Sequence, residues 1–400
     1  MSSPRPTLGR NVLALTLVSF FTDVSSEMIY PLLPIFLTGV LGASASFVGA
    51  MEGAAETTSS LLKLVSGWWS DRVQRRKPLV VFGYALASTM RPLVAFARSA
   101  SEVLVIRLSD RAGKGIRNAP RDALIADSVD PAIWGRAFGV HRAGDHAGGV
   151  VGPLVAFALL SWWAVPMRQV FLLAAVPGAV AVLVVIFGVR EPPRYRVEGG
   201  GWRVERAAQS LPSTLRPLPS TFWSTLAVIL LFTLGNSTDA FLLLRATQLG
   251  VPATLAPVLW AVLHVVKASA SAPGGALSDR VGRKPTLIAG WLLYAAVYAG
   301  FAVASDAWHA WALFAVYGVF FGLTEGTERA LVADIVPPDR RGSAFGWYHL
   351  AVGLGMFPAS LLFGIIWDRA GAPTAFLVGA TLSVAAAVGL RVAVPSVPGR

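Results

Sequence analysis

In this chain of 400 residues only 14% of side chains are charged, 54% are hydrophobic and the mean hydropathy is +0.61. A soluble surface needs charge on roughly a quarter of its residues, so the bilayer is the expected solvent. The net charge of +12 falls mostly in loops between apolar runs, which marks a membrane side rather than a nucleic-acid face. The absence of cysteine excludes disulfides, thiolate metal sites and thiol nucleophiles.

A spanning helix needs about 20 largely apolar residues. Six candidate spans come first, at 11–38, 46–69, 78–97, 101–124, 136–160 and 167–189. Several carry ionisable groups. Asp23 and Glu27 share one face of span one, and Glu52, Glu56 and Lys63 share one face of span two. Span three holds Arg91. Span four holds Arg107, Asp110, Arg111, Lys114, Arg117, Arg121 and Asp122, and span five holds His141, Arg142, Asp145 and His146. Lys114, Arg117, Arg121 and Asp122 fall near one membrane surface if span four ends early. Residues 191–219 form the only long polar stretch, with Pro192, Pro193 and Gly199–Gly201, and read as a cytoplasmic linker. Six more spans follow at 220–245, 253–277, 285–304, 308–331, 342–366 and 372–393. The reading is therefore an all-α integral membrane protein, with a bundle over 1–190 and another over 220–400.

Basic clusters at 72–77, 190–206, 280–284 and 340–341 all follow even-numbered spans. One orientation satisfies them together, with both termini in the cytoplasm. Residues 1–10 are short and polar, and no small-residue cleavage site follows, so no cleavable signal is expected.

The halves repeat one another. GWWSDRVQRRKPL at 67–79 matches GALSDRVGRKPTL at 275–287, and the interval between Asp71 and Asp279 is 279 − 71 = 208. RDALIAD at 121–127 matches ERALVAD at 328–334, and GRAFG at 135–139 matches GSAFG at 342–346, both 207 apart. A duplicated six-helix unit suits a transporter that rocks two halves about a central site.

With these motifs the chain resembles the major facilitator superfamily over essentially its whole length. The second loop copy fits the superfamily pattern G-x-L-x-D-R-x-G-R-K-x-x-L at every position; the first departs at Trp69 and Gln74. The resemblance implies a latch, with Gly67, Asp71 and Arg72 in one copy and Gly275, Asp279, Arg280 and Arg283 in the other. RAGKG at 111–115 resembles a span-four motif whose Arg, here Arg111, is linked to proton transfer; Lys114 stands where Gln is usual. GGVVGP at 148–153 resembles a span-five motif of exporters and antiporters, with Gly152 and Pro153 as its core and its trailing glycines missing. The resemblance further implies a cavity lined by spans one, four, seven and ten and flanked by two, five, eight and eleven.

Intramembrane charges are costly unless paired or wetted, and so mark candidate sites. Asp23, Glu27 and Glu56 are the expected proton-coupling acids, since a buried carboxyl beside like charge can trade protons at working pH. His264 lies one repeat from Glu56 and joins them with Arg111. Arg91, Arg107, Asp110, Arg142, Asp145, Asn236, Asp239, Lys267 and Glu325 are expected to face the solute. The mixture of fixed cations and carboxylates suits an anionic or zwitterionic solute better than a metal cage. No Walker loop, nucleophile elbow or H-E-x-x-H pattern occurs in the sequence, so neither an enzyme nor a cofactor is expected. The expected protein is a monomeric secondary transporter of the bacterial inner membrane. It would exchange protons for a small polar or charged solute; uptake symport, metal export and non-transporting sensing are the alternatives.

Overall fold

In a bilayer every backbone amide must be satisfied within its own segment, so apolar runs of this length fold as helices. The computed structural model describes residues 9–72, 75–129, 134–191, 218–337 and 341–393, without the side chains of 71–72, 134–136, 341–343 and 393. All regular structure among them is helical. The first half comprises α1 (Arg10–Ile29), α2 (Leu33–Gly39), α3 (Ala45–Arg72), α4 (Lys77–Met90), a 3₁₀ turn (Arg91–Phe96), α5 (Ala100–Asp127), α6 (Trp134–Ser161), α7 (Met167–Leu173) and α8 (Ala175–Gly188). The second comprises α9 (Ser220–Gly235), α10 (Ala240–Gln248), a 3₁₀ turn (Ala253–Leu255), α11 (Ala256–Val281), α12 (Arg283–Val303), α13 (Ala307–Asp334), α14 (Arg341–Ala370) and α15 (Ala372–Ala393). Most of the expected linker, 192–217, lies outside the described residues.

Among the described residues, ten helical stretches are long and apolar enough to cross a membrane. The two further long helices, α3 and α5, have 28 residues each and carry the densest charge, much of it turned into the bundle. Span six is interrupted at Ala174, between α7 and α8, and two spans are broken by several non-helical residues. Span one breaks between α1 and α2, where Pro31 and Pro34 remove amide donors. Span seven breaks over 236–239, between α9 and α10, with no proline to announce it.

The repeat is visible in the packing. A Cβ on Gly115 would meet Leu62 Cβ at 2.7 Å, which fixes α5 against α3, and Ser66 Oγ donates to the Gly115 carbonyl at 2.9 Å. One repeat later, a Cβ on Gly322 would meet Ala270 Cβ at 2.5 Å, which fixes α13 against α11. Only small residues allow helix backbones this close.

The halves touch along two seams. In the first, α3 and α14 run antiparallel: Gly49 and Gly53 abut Ser360 and Phe357, and Thr57 Oγ1 donates to the Gly353 carbonyl at 2.7 Å. In the second, Gly149 of α6 abuts the His264 ring of α11. At the end remote from the basic loops one apolar core joins both halves, including Leu32, Phe36 and Leu37 with Phe241, Leu242 and Leu259. At the basic end the first half keeps a core of its own, including Val12, Leu15, Tyr84, Leu124 and Val185. The molecule is thus sealed at one end and divided at the other.

Candidate functional site

Where the halves part, a cavity of about 670 Å³ lies between them, in the part of the molecule toward the basic loops. Its wall takes Ser19, Asp23 and Glu27 from α1; Ser60, Lys63 and Leu64 from α3; and Lys114, Arg117, Asn118, Ala119, Arg121 and Asp122 from α5. Beside them, on the helix packed against α1, stand Arg142, Asp145, His146 and Gly149 of α6; the second half supplies His264 and Lys267 of α11, Glu325 and Arg329 of α13, and Gly346 and His349 of α14.

Small residues set this geometry. Gly148 abuts Phe20 and Asp23, and Gly152 abuts Val24 and Glu27, so α6 closes on α1 and holds both acids at the wall. Pro153 sits inside α6 just beyond them. Glu27 accepts a hydrogen bond from Trp260 Nε1 at 2.7 Å, across the two halves. Tyr30, at the break of span one, packs on the same indole with ring centroids 4.9 Å apart. His264 Nδ1 lies 3.0 Å from the Trp260 carbonyl. Three ionic groups line the rest of the wall. Arg121 pairs with Asp122 at 2.7 Å, Arg142 with Asp145 at 3.3 Å, and Lys267 and Arg329 share Glu325 at 3.3 and 3.2 Å. Ser19 also donates to Asp145.

Seven of the expected residues therefore meet at one cavity: Asp23, Glu27, Arg142, Asp145, His264, Lys267 and Glu325. Others are placed elsewhere. Arg91, Arg107 and Asp110 do not reach the wall. They are buried between spans with Glu52, where Arg91 pairs with Asp110 at 2.7 Å and Arg107 with Glu52 at 2.9 Å. Arg107 lies 3.5 Å from Asp110 and 5.3 Å from the Tyr30 ring centroid, and Arg91 donates to the Thr22 carbonyl at 3.0 Å. This quartet is neutral and satisfies itself, which is how buried charge persists in a bilayer. Glu56 and Arg111 are half-buried and also off the wall. Asn236 and Asp239 sit at the break of span seven, where Asp239 accepts from the Tyr317 hydroxyl at 2.7 Å. Span seven contributes nothing to the wall, contrary to the expected one–four–seven–ten pattern.

The loop motif is built as a clasp within its own half. Arg283 bridges Asp279 and, at 3.5 Å, Asp334, so α11, α12 and α13 are tied together. Gly282 turns the chain with φ +105°, a conformation that favours glycine. Arg280 is exposed. Gly67 and Gly275 are not points of close helix approach: a Cβ on Gly67 would meet only Ala119 Cβ at 3.5 Å and nothing lies within 4 Å of one on Gly275, whereas one on Gly274 would lie 2.1 Å from the Gly322 carbonyl. The side chains of Asp71 and Arg72 lie outside the described residues, but Arg76 pairs with Asp127 at 2.6 Å, one repeat before Arg283 and Asp334.

Lys114, Arg117, Arg121 and Asp122 would have fallen near a membrane surface had span four ended early. Because α5 continues to Asp127, they line the cavity instead. The spacing carried part of the signal: 114, 117, 118 and 121 continue the three-and-four pattern of 107, 110 and 111, though those three stand off the wall. Ser19, Ser60 and Asn118 carry no comparable signal.

Comparison with known proteins agrees with this architecture. The model of the Major Facilitator Superfamily matches residues 15–266 and 240–400. An uncharacterised MFS-type transporter of Methanocaldococcus jannaschii is 34% identical over 383 residues, covering 94% of this chain and 93% of its own. A multidrug resistance protein of Cronobacter sakazakii is 32% identical over 135 residues, which is 34% of this chain and 30% of that one. The crystal structure of a bacterial homologue of the human lysosomal transporter Spinster, inward-facing and occupied, superposes with TM-score 0.72 at 20% identity, covering 96% of this chain and 94% of that one.

Proposed function

The chain belongs to the Major Facilitator Superfamily and is a multi-pass membrane transporter, not an enzyme; from that premise we propose that it exports a small polar or charged solute by alternating access, in exchange for protons. One observation carries the reading. Carboxyls of α1 and an imidazole of α11, from opposite halves, meet at a single cavity that only one end of the molecule seals. Groups that titrate there can be offered to one side and then the other as the halves rock.

The basic loops support a cytoplasmic open end, with both termini on that side and the inner membrane as location. The fold then stands inward-facing, as a monomer. Export is supported by the packing of GGVVGP, which seats Asp23 and Glu27 against α6, and by the partial similarity to a multidrug resistance protein.

Proteoliposomes with an imposed pH gradient test the coupling. Solute-dependent proton flux is expected with the native protein, falling to background in Asp23→Asn and in Glu27→Gln while solute binding persists. Flux unchanged in both variants overturns the coupling, and accumulation instead of depletion of the solute in cells overturns the direction.

A further inference from the structure

We infer that the α3–α5 wall is an anion subsite, in which Lys63, Lys114 and Arg117 hold a carboxylate, sulfonate or phosphate of the transported solute. The inference rests on the transport reading and adds to it the solute's class, an organic anion.

The charges along the wall support this. Seven Lys and Arg and five Asp and Glu line the cavity. Once the pairs to Asp122, Asp145 and Glu325 are formed, Lys63, Lys114 and Arg117 remain. No carboxylate among the described residues lies within 4.0 Å of any of the three. Neither Asp23 of α1 nor Glu56 of α3 comes within ion-pair distance of Lys114.

The crowding of these cations is built into the backbone. Gly115 sits on Ser59 and Leu62, and Ser66 Oγ donates to its carbonyl at 2.9 Å. Lys63 and Lys114 flank that contact, so α3 and α5 bring like charges to one stretch of wall. Arg117 is only 3% exposed. Its guanidinium lies 4.4 Å from the Tyr84 ring centroid, and its Nε and Nη1 have no hydrogen-bond partner among the described residues. A ring face replaces only part of the hydration such a cation gives up. An anion arriving in the cavity supplies the missing charge, met by the ammonium groups of Lys63 and Lys114 beside the buried guanidinium. Because the cytoplasm is electrically negative relative to the outside, an anion leaving it moves down the electrical gradient, in the direction proposed above.

The chain has no cysteine, so one introduced thiol reports the local potential cleanly. Leu64 lines the cavity beside Lys63 and is 43% exposed; Val40, 58% exposed at the sealed end, serves as reference. In phosphatidylcholine nanodiscs, Leu64→Cys is expected to favour sulfonatoethyl over trimethylammonioethyl methanethiosulfonate about tenfold more strongly than Val40→Cys does. The preference should fall in K63Q, K114Q and R117Q and return in R117K. Phthalate should slow labelling of Leu64→Cys, whereas benzamide and benzylamine should not. A preference for the cationic reagent, or one unmoved by all three Gln variants, overturns the subsite. Protection by phosphatidylglycerol in the nanodisc but not by phthalate assigns the wall to a lipid headgroup and overturns the solute assignment. Counterflow in proteoliposomes separates the two levels. Exchange of benzylamine but not phthalate removes the anion class and leaves transport standing. Phthalate protection in a protein that exchanges no solute keeps the subsite and removes the transport reading.

Discussion

In the first half, Arg91 and Asp110 form a buried ion pair at 2.7 Å; at the related positions of the second half, 298 − 91 = 207 and 317 − 110 = 207, stand Tyr298 and Tyr317. Those tyrosines flank Tyr294 with ring centroids 4.1 and 6.0 Å away. Arg107 corresponds in the same way to Phe314, and Glu52, at 208, to Trp260. One backbone repeat is thus filled with a salt-bridge network on one side and aromatic side chains on the other. The shared element is the close approach of helices, Gly115 on Leu62 and Gly322 on Ala270. Helix packing here is set by small residues at fixed places, and the filling around them is free to specialise. The first half used that freedom for charge, and most of the cavity's ionisable groups come from it.

The largest expected effect breaks the charged filling. Arg107→Met leaves the Glu52 carboxylate buried without its partner and should cost about 3–5 kcal/mol of stability. Phe314→Leu, at the related aromatic position, should cost only about 1 kcal/mol, since volume is nearly kept. Adding Glu52→Met to Arg107→Met should restore most of the loss, because an apolar pair of similar bulk replaces a buried ion pair at little cost. Thermal unfolding in detergent reads all three. Equal losses from Arg107→Met and Phe314→Leu would contradict the idea that the two fillings differ in kind.

A middle effect tests the shared backbone. Gly115→Ala and Gly322→Ala each force a methyl into a contact under 3 Å and should each lose about 1–3 kcal/mol, by similar amounts. Gly275→Ala, with open space around it inside α11, should gain roughly 0.5–1 kcal/mol from helix propensity. Melting curves of the three variants suffice. A loss confined to one of the two repeat-related glycines would separate the scaffolds of the halves.

Much of this was legible in the sequence. Apolar runs give the spans, and the duplicated loop gives the repeat, because length and charge are local properties. The break over 236–239 went unread: no proline marks it, but the run Gly235-Asn236-Ser237-Thr238-Asp239 is a turn-forming cluster that signals it. The division of charges between structure and cavity was not legible. Glu52 and Lys63 both lie on α3, 63 − 52 = 11 residues and so about 16 Å apart along the axis. Glu52 meets Arg107 within the bundle, toward the sealed end, while Lys63 faces the cavity where the halves part. Which side of that boundary a residue falls on depends on which end of the molecule is closed, and helical periodicity carries no record of that.

The smallest effect concerns the closure itself, where the two seams also differ. At the sealed end Asp368 of α14 accepts from the amides of Ala45 and Ser46 at 3.0 and 2.8 Å, capping α3 from the opposite half. At the related position of the other seam, 368 − 207 = 161, stands Ser161, whose side chain makes no such bond among the described residues. An exposed carboxylate on a helix N-terminus contributes about 1 kcal/mol. Asp368→Ala should therefore move the balance between the two facing states by roughly fivefold, away from the state seen here. Spin labels at Ser46 and Arg369, read by pulsed dipolar spectroscopy, should then show a larger long-distance population with the Asp368 side chain removed. The related Ser161→Ala, monitored by a label pair across α6 and α11, should leave its distribution unchanged. If Ser161→Ala opens its seam as far as Asp368→Ala opens the other, the carboxylate is not what biases the closure, and the two seams are equivalent after all.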